Sequence, residues 1–82
     1  MNLIIDIGNS RTKVAVVNNG QVVDNYVLEG VADLKNHQVF EAYPTISKAI
    51  VASTAQSTDK IAEWLRKKGL YVVEMSSSTP VP

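Results

Sequence analysis

Between Asp6 and Lys13 the chain reads Asp6-Ile7-Gly8-Asn9-Ser10-Arg11-Thr12-Lys13, which brings together a carboxylate, a glycine, three small polar residues and two cations. A carboxylate at the end of a strand can hold Mg²⁺, usually through water, because magnesium dehydrates reluctantly and takes few direct protein ligands. Gly8 would let the backbone approach a phosphate closely, and the amides of Asn9 and Ser10 could point at its oxygens. Lys13 supplies a point charge for the same phosphate. The same residue types are also good hairpin residues, and a lone Asp-x-Gly-Asn is more often a solvated turn than a site. Position favours the chemical reading. Asp6 follows the apolar run Leu3-Ile4-Ile5, and a charge ending so apolar a strand is costly to bury without a ligand or metal.

The elements that must position this segment follow from pattern and turn chemistry. Asn2 to Asp6 reads as a central strand, its continuous β-favouring run suited to burial on both sheet faces. Gly8-Asn9-Ser10 turns the chain, Thr12 to Val17 forms the second strand, and Asn18-Asn19-Gly20 leads into a third over Gln21 to Leu28. Val31, Leu34, Gln38, Phe40 and Tyr43 suggest a helix within residues 30 to 43, stopped by Pro44. A fourth strand is expected over Ile46 to Ala52, followed by a Ser/Thr cluster. The clearest helix has Ser57 or Thr58 as N-cap and Asp59 in its first turn, with Ile61, Trp64 and Leu65 on one face and Gly69 after its end. Leu70 to Met75 is a fifth strand, and residues 76 to 82 are loop-like. Strands reached through helical crossovers run parallel to the first, so the expectation is an α/β fold with a five-stranded mixed sheet of order 3-2-1-4-5 and two helices. The first strand is then where the topology reverses, the place where open α/β sheets bind ligands.

Composition sets the limits. Eighty-two residues, 45% of them apolar and 20% charged, suit one small domain rather than a disordered chain. A chain of this size buries only about 60–70% of its unfolded surface, so stability is modest without a partner or further chain. Formal net charge is zero, which removes the electrostatic footprint of a general nucleic-acid or anionic-membrane binder. With no cysteine and one histidine, a disulfide framework is excluded and a zinc site disfavoured, and a reducing cytoplasm fits. Apolar runs such as Val14-Ala15-Val16-Val17 are too short to span a membrane, and Asp6 interrupts any signal-peptide core.

From Met1 through Lys13 the sequence resembles the opening of type III pantothenate kinases, within the superfamily that also holds acetate and sugar kinases, heat-shock chaperones and actin. Ile50-Val51-Ala52-Ser53-Thr54 is similar to that family's strand ending in a Ser-rich turn, and Ser78-Thr79-Pro80-Val81-Pro82 to the segment before its pantothenate-binding region. Sugar kinases of the superfamily usually carry a second glycine where Asn9 stands. The resemblance implies a ribonuclease H-like, actin-type ATPase half-domain in which Asp6 positions magnesium–ATP, Gly8, Asn9 and Ser10 form the first phosphate loop, and Lys13 contacts phosphate. Ser53 and Thr54 would line the same cleft more weakly. It also implies Mg²⁺, a monovalent cation (K⁺ or NH₄⁺), pantothenate as acceptor and a homodimeric parent. Family members are roughly three times longer, so residues 1–82 correspond to the N-terminal part of a first domain. In that reading the catalytic aspartate, the second phosphate loop and the adenosine site lie outside it, and no catalytic residue lies within it.

Other residues read as structural. His37 lacks a second ligand at useful spacing, Trp64 shares a face with Ile61 and Leu65, and Arg66-Lys67-Lys68 suits a helix C-terminus. Arg11 adjoins the phosphate loop but occupies a variable position of the family pattern. A fragment of a larger domain leaves a face or a strand edge uncovered, so self-association of the isolated chain is expected. The function expected of the parent is phosphoryl transfer from ATP to pantothenate. The alternatives are another small-molecule kinase, a nucleotide-driven assembly protein, or an inactive structural fragment.

Overall fold

The computed structural model describes residues 1–54 and 57–76. Its strands are β1 (Asn2–Ile7), β2 (Thr12–Asn18), β3 (Gln21–Leu28), β4 (Lys48–Ser53) and β5 (Tyr71–Ser76), in one sheet of order β3-β2-β1-β4-β5. The meander β1-β2-β3 is antiparallel, and β4 and β5 run parallel to β1. The expected order and strand directions are therefore those observed. The turn at Asn19 and Gly20 has both residues at positive φ, 54° and 79°, the geometry that lets a two-residue hairpin match strand twist.

Helical segments all lie on one face: a 3-10 helix at Val31–Asn36, α1 at Val39–Ala42 and α2 at Asp59–Lys67. Beneath them Leu3, Ile5 and Ile7 of β1, Val14 and Val16 of β2, Ala49 and Val51 of β4, and Val72 of β5 form the core with Leu34, Val39, Ile61 and Leu65. The first strand was expected to be buried on both faces; instead Ile4 is 36% exposed on the other side of the sheet, where no element of the described chain packs.

Three further expectations are corrected by backbone hydrogen bonding. The single helix over residues 30 to 43 is broken at His37, whose extended backbone separates the 3-10 helix from α1 while its Nδ1 accepts the Val39 N–H at 3.1 Å. Leu34 and Val39, the buried residues of the two pieces, are five positions apart, a spacing one straight helix cannot point at one core. The fourth strand starts at Lys48 rather than Ile46, because the Ile46 N–H closes a turn onto the Tyr43 carbonyl at 3.2 Å. The fifth starts at Tyr71 rather than Leu70. The Leu70 N–H is taken by the Leu65 carbonyl and the Gly69 N–H by that of Arg66, the two bonds of a Schellman motif with Gly69 at φ 95°. Smaller shifts extend β1 to Ile7 and β2 to Asn18. Ser76 ends β5 rather than beginning a loop, and the remainder of that loop lies outside the described residues.

Each edge strand carries one carboxylate toward the helical layer. Asp24 of β3 accepts the hydroxyls of Tyr26 and Tyr43 on one oxygen, at 2.8 and 2.9 Å. Glu74 of β5 accepts the Thr58 hydroxyl at 2.8 Å and Arg66 Nη2 at 3.1 Å. These contacts tie the residue after α1 and both ends of α2 to the rims of the sheet. His37 and Trp64 are structural as read: His37 packs edge-on to Tyr26 at 4.5 Å, and Trp64 edge-on to Phe40 at 5.6 Å with Lys68 over both rings of that pair. Arg66, read as part of a basic run that suits the helix C-terminus, also donates to Glu74 at 3.1 Å and to the Val72 carbonyl at 3.5 Å.

Candidate functional site

Asp6 and Lys13 are direct cross-strand partners of β1 and β2, at the carboxyl end of β1 where β2 lies on one side and β4 on the other. Alternation along β1 puts Leu3, Ile5 and Ile7 under the helices, so Asp6 projects from the opposite face with Ile4. It is exposed. The expectation that its charge would be costly to bury is therefore corrected: water solvates the carboxylate, and position rather than desolvation distinguishes it. No ion pair joins Asp6 to Lys13 among the described residues, which leaves both charges open to a ligand.

Four residues connect the two strands. The Gly8 N–H donates to the Arg11 carbonyl at 2.9 Å, and the Thr54 N–H reaches the Ile7 carbonyl at 3.2 Å, so the base of the turn is fixed to both neighbouring strands. A Cβ on Gly8 would stand 3.1 Å from the Arg11 carbonyl oxygen, a contact that needs the backbone of the turn to give by a few tenths of an ångström. Asn9, Ser10 and Arg11 are exposed, and among the described residues the amides of Asn9 and Ser10 donate to no protein group. Free amides on a rigid turn, beside a cation, can receive anionic oxygens.

Asp6 and Lys13 border a groove of about 350 Å³ whose floor is otherwise mostly apolar, with Ile4, Ala15, Val22 and Val27. A larger cleft of about 460 Å³ lies on the helical side between the 3-10 helix and α2, lined by Val31, Ala32, Lys35, Ser57, Asp59 and Lys60. Of the candidate residues Asp6 and Lys13 border the first and none borders the second, and Gly8, Asn9 and Ser10 line neither. Ser53, expected to help line the cleft, is 5% exposed on the helical side of β4, whereas Thr54 is exposed beside Ile7. The Ser78 to Pro82 segment lies outside the described residues.

The donor set suits a metal carried in by phosphate. Among the described residues no three His, Cys, Asp or Glu side chains converge on a metal site. One carboxylate with free turn amides fits magnesium held by phosphate oxygens and water, since that ion needs only one or two protein carboxylates. The Asp24 cluster escaped the sequence reading, because Tyr43 lies 19 residues away and nothing local links it to β3. The Tyr26 hydroxyl first, then that of Tyr43, holds the Asp24 carboxyl below its ordinary value, and hydrogen bonding to Asp24 pushes Tyr26 up to about 12.

No family model matches the chain. A type III pantothenate kinase from Phocaeicola vulgatus is 35% identical over 88 residues, the match covering 100% of this chain and 34% of the relative. The chain thus spans about a third of the length of the curated relative it matches. A crystal structure from Porphyromonas gingivalis, of a protein provisionally named N-acetylglucosamine kinase, superposes with a TM-score of 0.65 at 16% identity, over 93% of this chain and 34% of that one. The fold is that of a kinase-like, actin-type ATPase half-domain. Among the described residues no helix is long and apolar enough to cross a membrane.

Proposed function

We propose that residues 1–82 are the first phosphate-binding part of a kinase that transfers the γ-phosphoryl group of ATP to pantothenate in the cytoplasm, the N-terminal piece of the first of two domains. The observation that carries this reading is the placement of Asp6 and Lys13 side by side at the switch point, flanking a turn whose Asn9 and Ser10 amides are free. Phosphoryl transfer asks the protein mainly to position groups and neutralise charge. Asp6 orients magnesium through its water shell. Gly8 brings the backbone close to the phosphates, the Asn9 and Ser10 amides bond their oxygens, and Lys13 balances their charge. The similarity to a pantothenate kinase supports pantothenate as acceptor, with Asn9 standing where sugar kinases usually carry glycine. In this reading the base for the acceptor hydroxyl and the adenosine site belong to the remainder of a longer, homodimeric parent.

The test is Asp6→Asn in a full-length protein that contains this sequence, assayed with Mg²⁺–ATP and either pantothenate or N-acetylglucosamine. Turnover of pantothenate should fall by orders of magnitude with the fold intact, because the change removes charge at nearly constant volume. Near-normal turnover at saturating Mg²⁺ would remove the metal role from Asp6. Phosphorylation of the amino sugar alone would move the chain to the sugar kinases. The 82-residue chain by itself should turn over neither acceptor, since it would lack the base, commonly worth about 10²–10⁴-fold.

A further inference from the structure

A second concave site lies on the covered side of the sheet, apart from the phosphate-binding candidates. Leu28 at the end of β3, Thr12 of β2, Ile7 at the end of β1 and Ser53 at the end of β4 stand in register at one level of the sheet. The 3-10 helix leaves this level at Val31 and α2 at Asp59, so the cleft of about 460 Å³ between their first turns opens at the carboxyl edge, the edge that also carries the turn from Gly8 to Arg11. Val31, Ala32 and the buried Ile61 form its apolar wall, and Lys35, Lys60, Ser57 and Asp59 supply its polar groups. A volume of that order with apolar walls and a few convergent polar side chains marks a small-molecule site.

Charge selects the ligand. Among the described residues neither Lys35 nor Lys60 has an ion-pair partner, and Glu63, one turn along from Lys60, is engaged by Lys67 at 3.2 Å. The Ser57 oxygen accepts the Asp59 N–H at 3.2 Å, and among the described residues its own hydroxyl proton meets no acceptor. Two ammonium groups and one carboxylate leave the lining with a single net positive charge. A second negative charge on a ligand would face Asp59 without compensation. We propose that the cleft binds a small monocarboxylate with a compact apolar body, its carboxylate held between Lys35 and Lys60 with the Ser57 hydroxyl as a further donor, and its hydrocarbon laid on Val31, Ala32 and Ile61. Ammonium groups are compact point charges on flexible stems, so one from each wall can close on the same carboxylate. Asp59 sets the selectivity, turning away phosphates and dicarboxylates. Exposed charge pairs contribute little each and a small ligand buries little area, so the expected dissociation constant is on the order of 1 mM. The inference stands apart from the kinase reading, since none of Asp6, Gly8, Asn9, Ser10 and Lys13 lines the cleft.

Amide-resolved NMR titration of the 82-residue chain with isovalerate tests it, beside the uncharged isovaleramide and inorganic phosphate. The expected result is saturable shifts at residues 31–35 and 57–61 with the carboxylate, and binding there at least about tenfold weaker for the amide and for phosphate. Lys35→Gln and Lys60→Gln, both at exposed positions outside the phosphate-binding residues, should each weaken carboxylate binding about two- to fivefold with the amide dispersion unchanged. Asp59→Asn should raise the affinity of the cleft for phosphate. Equal binding of acid and amide overturns the proposal, as does phosphate binding at the cleft as tight as that of the carboxylate. Shifts confined to Val22, Val27 and their neighbours on the open face, or none that saturate well above the expected dissociation constant, also overturn it. Should one lysine variant fail to fold, the other decides.

Discussion

The two faces of this sheet are built from the same strands and share an apolar character, yet only one is closed. On the helical side Leu3, Ile5, Val16, Ala49 and Val51 have no exposure at all, and the strand carboxylates there, Asp24 and Glu74, sit at the two edges and are satisfied by hydroxyls and Arg66. On the other side Ile4, Val22, Val27, Tyr71 and Met75 meet water, and among the described residues Asp6 and Lys13 stand without an ion-pair partner. The closed face supplies stability. The open face carries the groups that could bind a phosphate, and that division lets the candidate site keep its charges solvated while its backbone is held rigid from behind.

The comparison breaks most directly by cutting one side chain on each face. Leu3→Ala on the closed face should cost about 2–5 kcal/mol, enough to unfold much of a domain this small, whereas Val27→Ala on the open face should change stability by no more than about 0.5 kcal/mol. Urea denaturation of the two variants measures both. Similar losses would mean that the open face is covered in solution.

The rims of the closed face should sharpen the contrast through pH. Asp24 and Glu74 lie below their ordinary values of 3.8 and 4.5, Glu74 chiefly through the Thr58 hydroxyl and then Arg66. Their ionised forms favour the folded state. That contribution is present above the ordinary values and is lost as pH falls through the lowered ones. Tyr26 has the opposite sign: raised from 10.0 to about 12, it favours the fold as the neutral phenol, with full effect below pH 10 and loss as pH rises toward 12. Thermal melts should therefore be flat between these limits and fall on both sides. Tyr43→Phe should move the acid limb upward, because Asp24 loses one of its two hydroxyl donors. The smallest effect belongs to Lys67→Ala, which removes an i,i+4 pair with Glu63 at 3.2 Å whose side chains are 74% and 69% exposed. Exposed helix pairs contribute only about 0.3–0.5 kcal/mol.

Local chemistry fixed a good deal of this molecule. Asn19-Gly20 could turn the chain because both tolerate positive φ, Gly69 could end α2 for the same reason, and the two crossovers allowed little choice of strand order. The Asp6-to-Lys13 segment was legible as a phosphate-binding candidate from residue types alone. Tertiary structure decided what depends on distant partners. The continuous run Leu3-Ile4-Ile5 does not say which face of β1 the helices will cover, so the exposure of Asp6 and Ile4 could not be read from their neighbours in sequence. The break at His37, the start of β4 at Lys48 and the start of β5 at Tyr71 follow from hydrogen bonds that divert single amides into turns and caps. Tyr43 reaches Asp24 only because the sheet and α1 are packed together, a contact between residues 19 apart that no local pattern encodes.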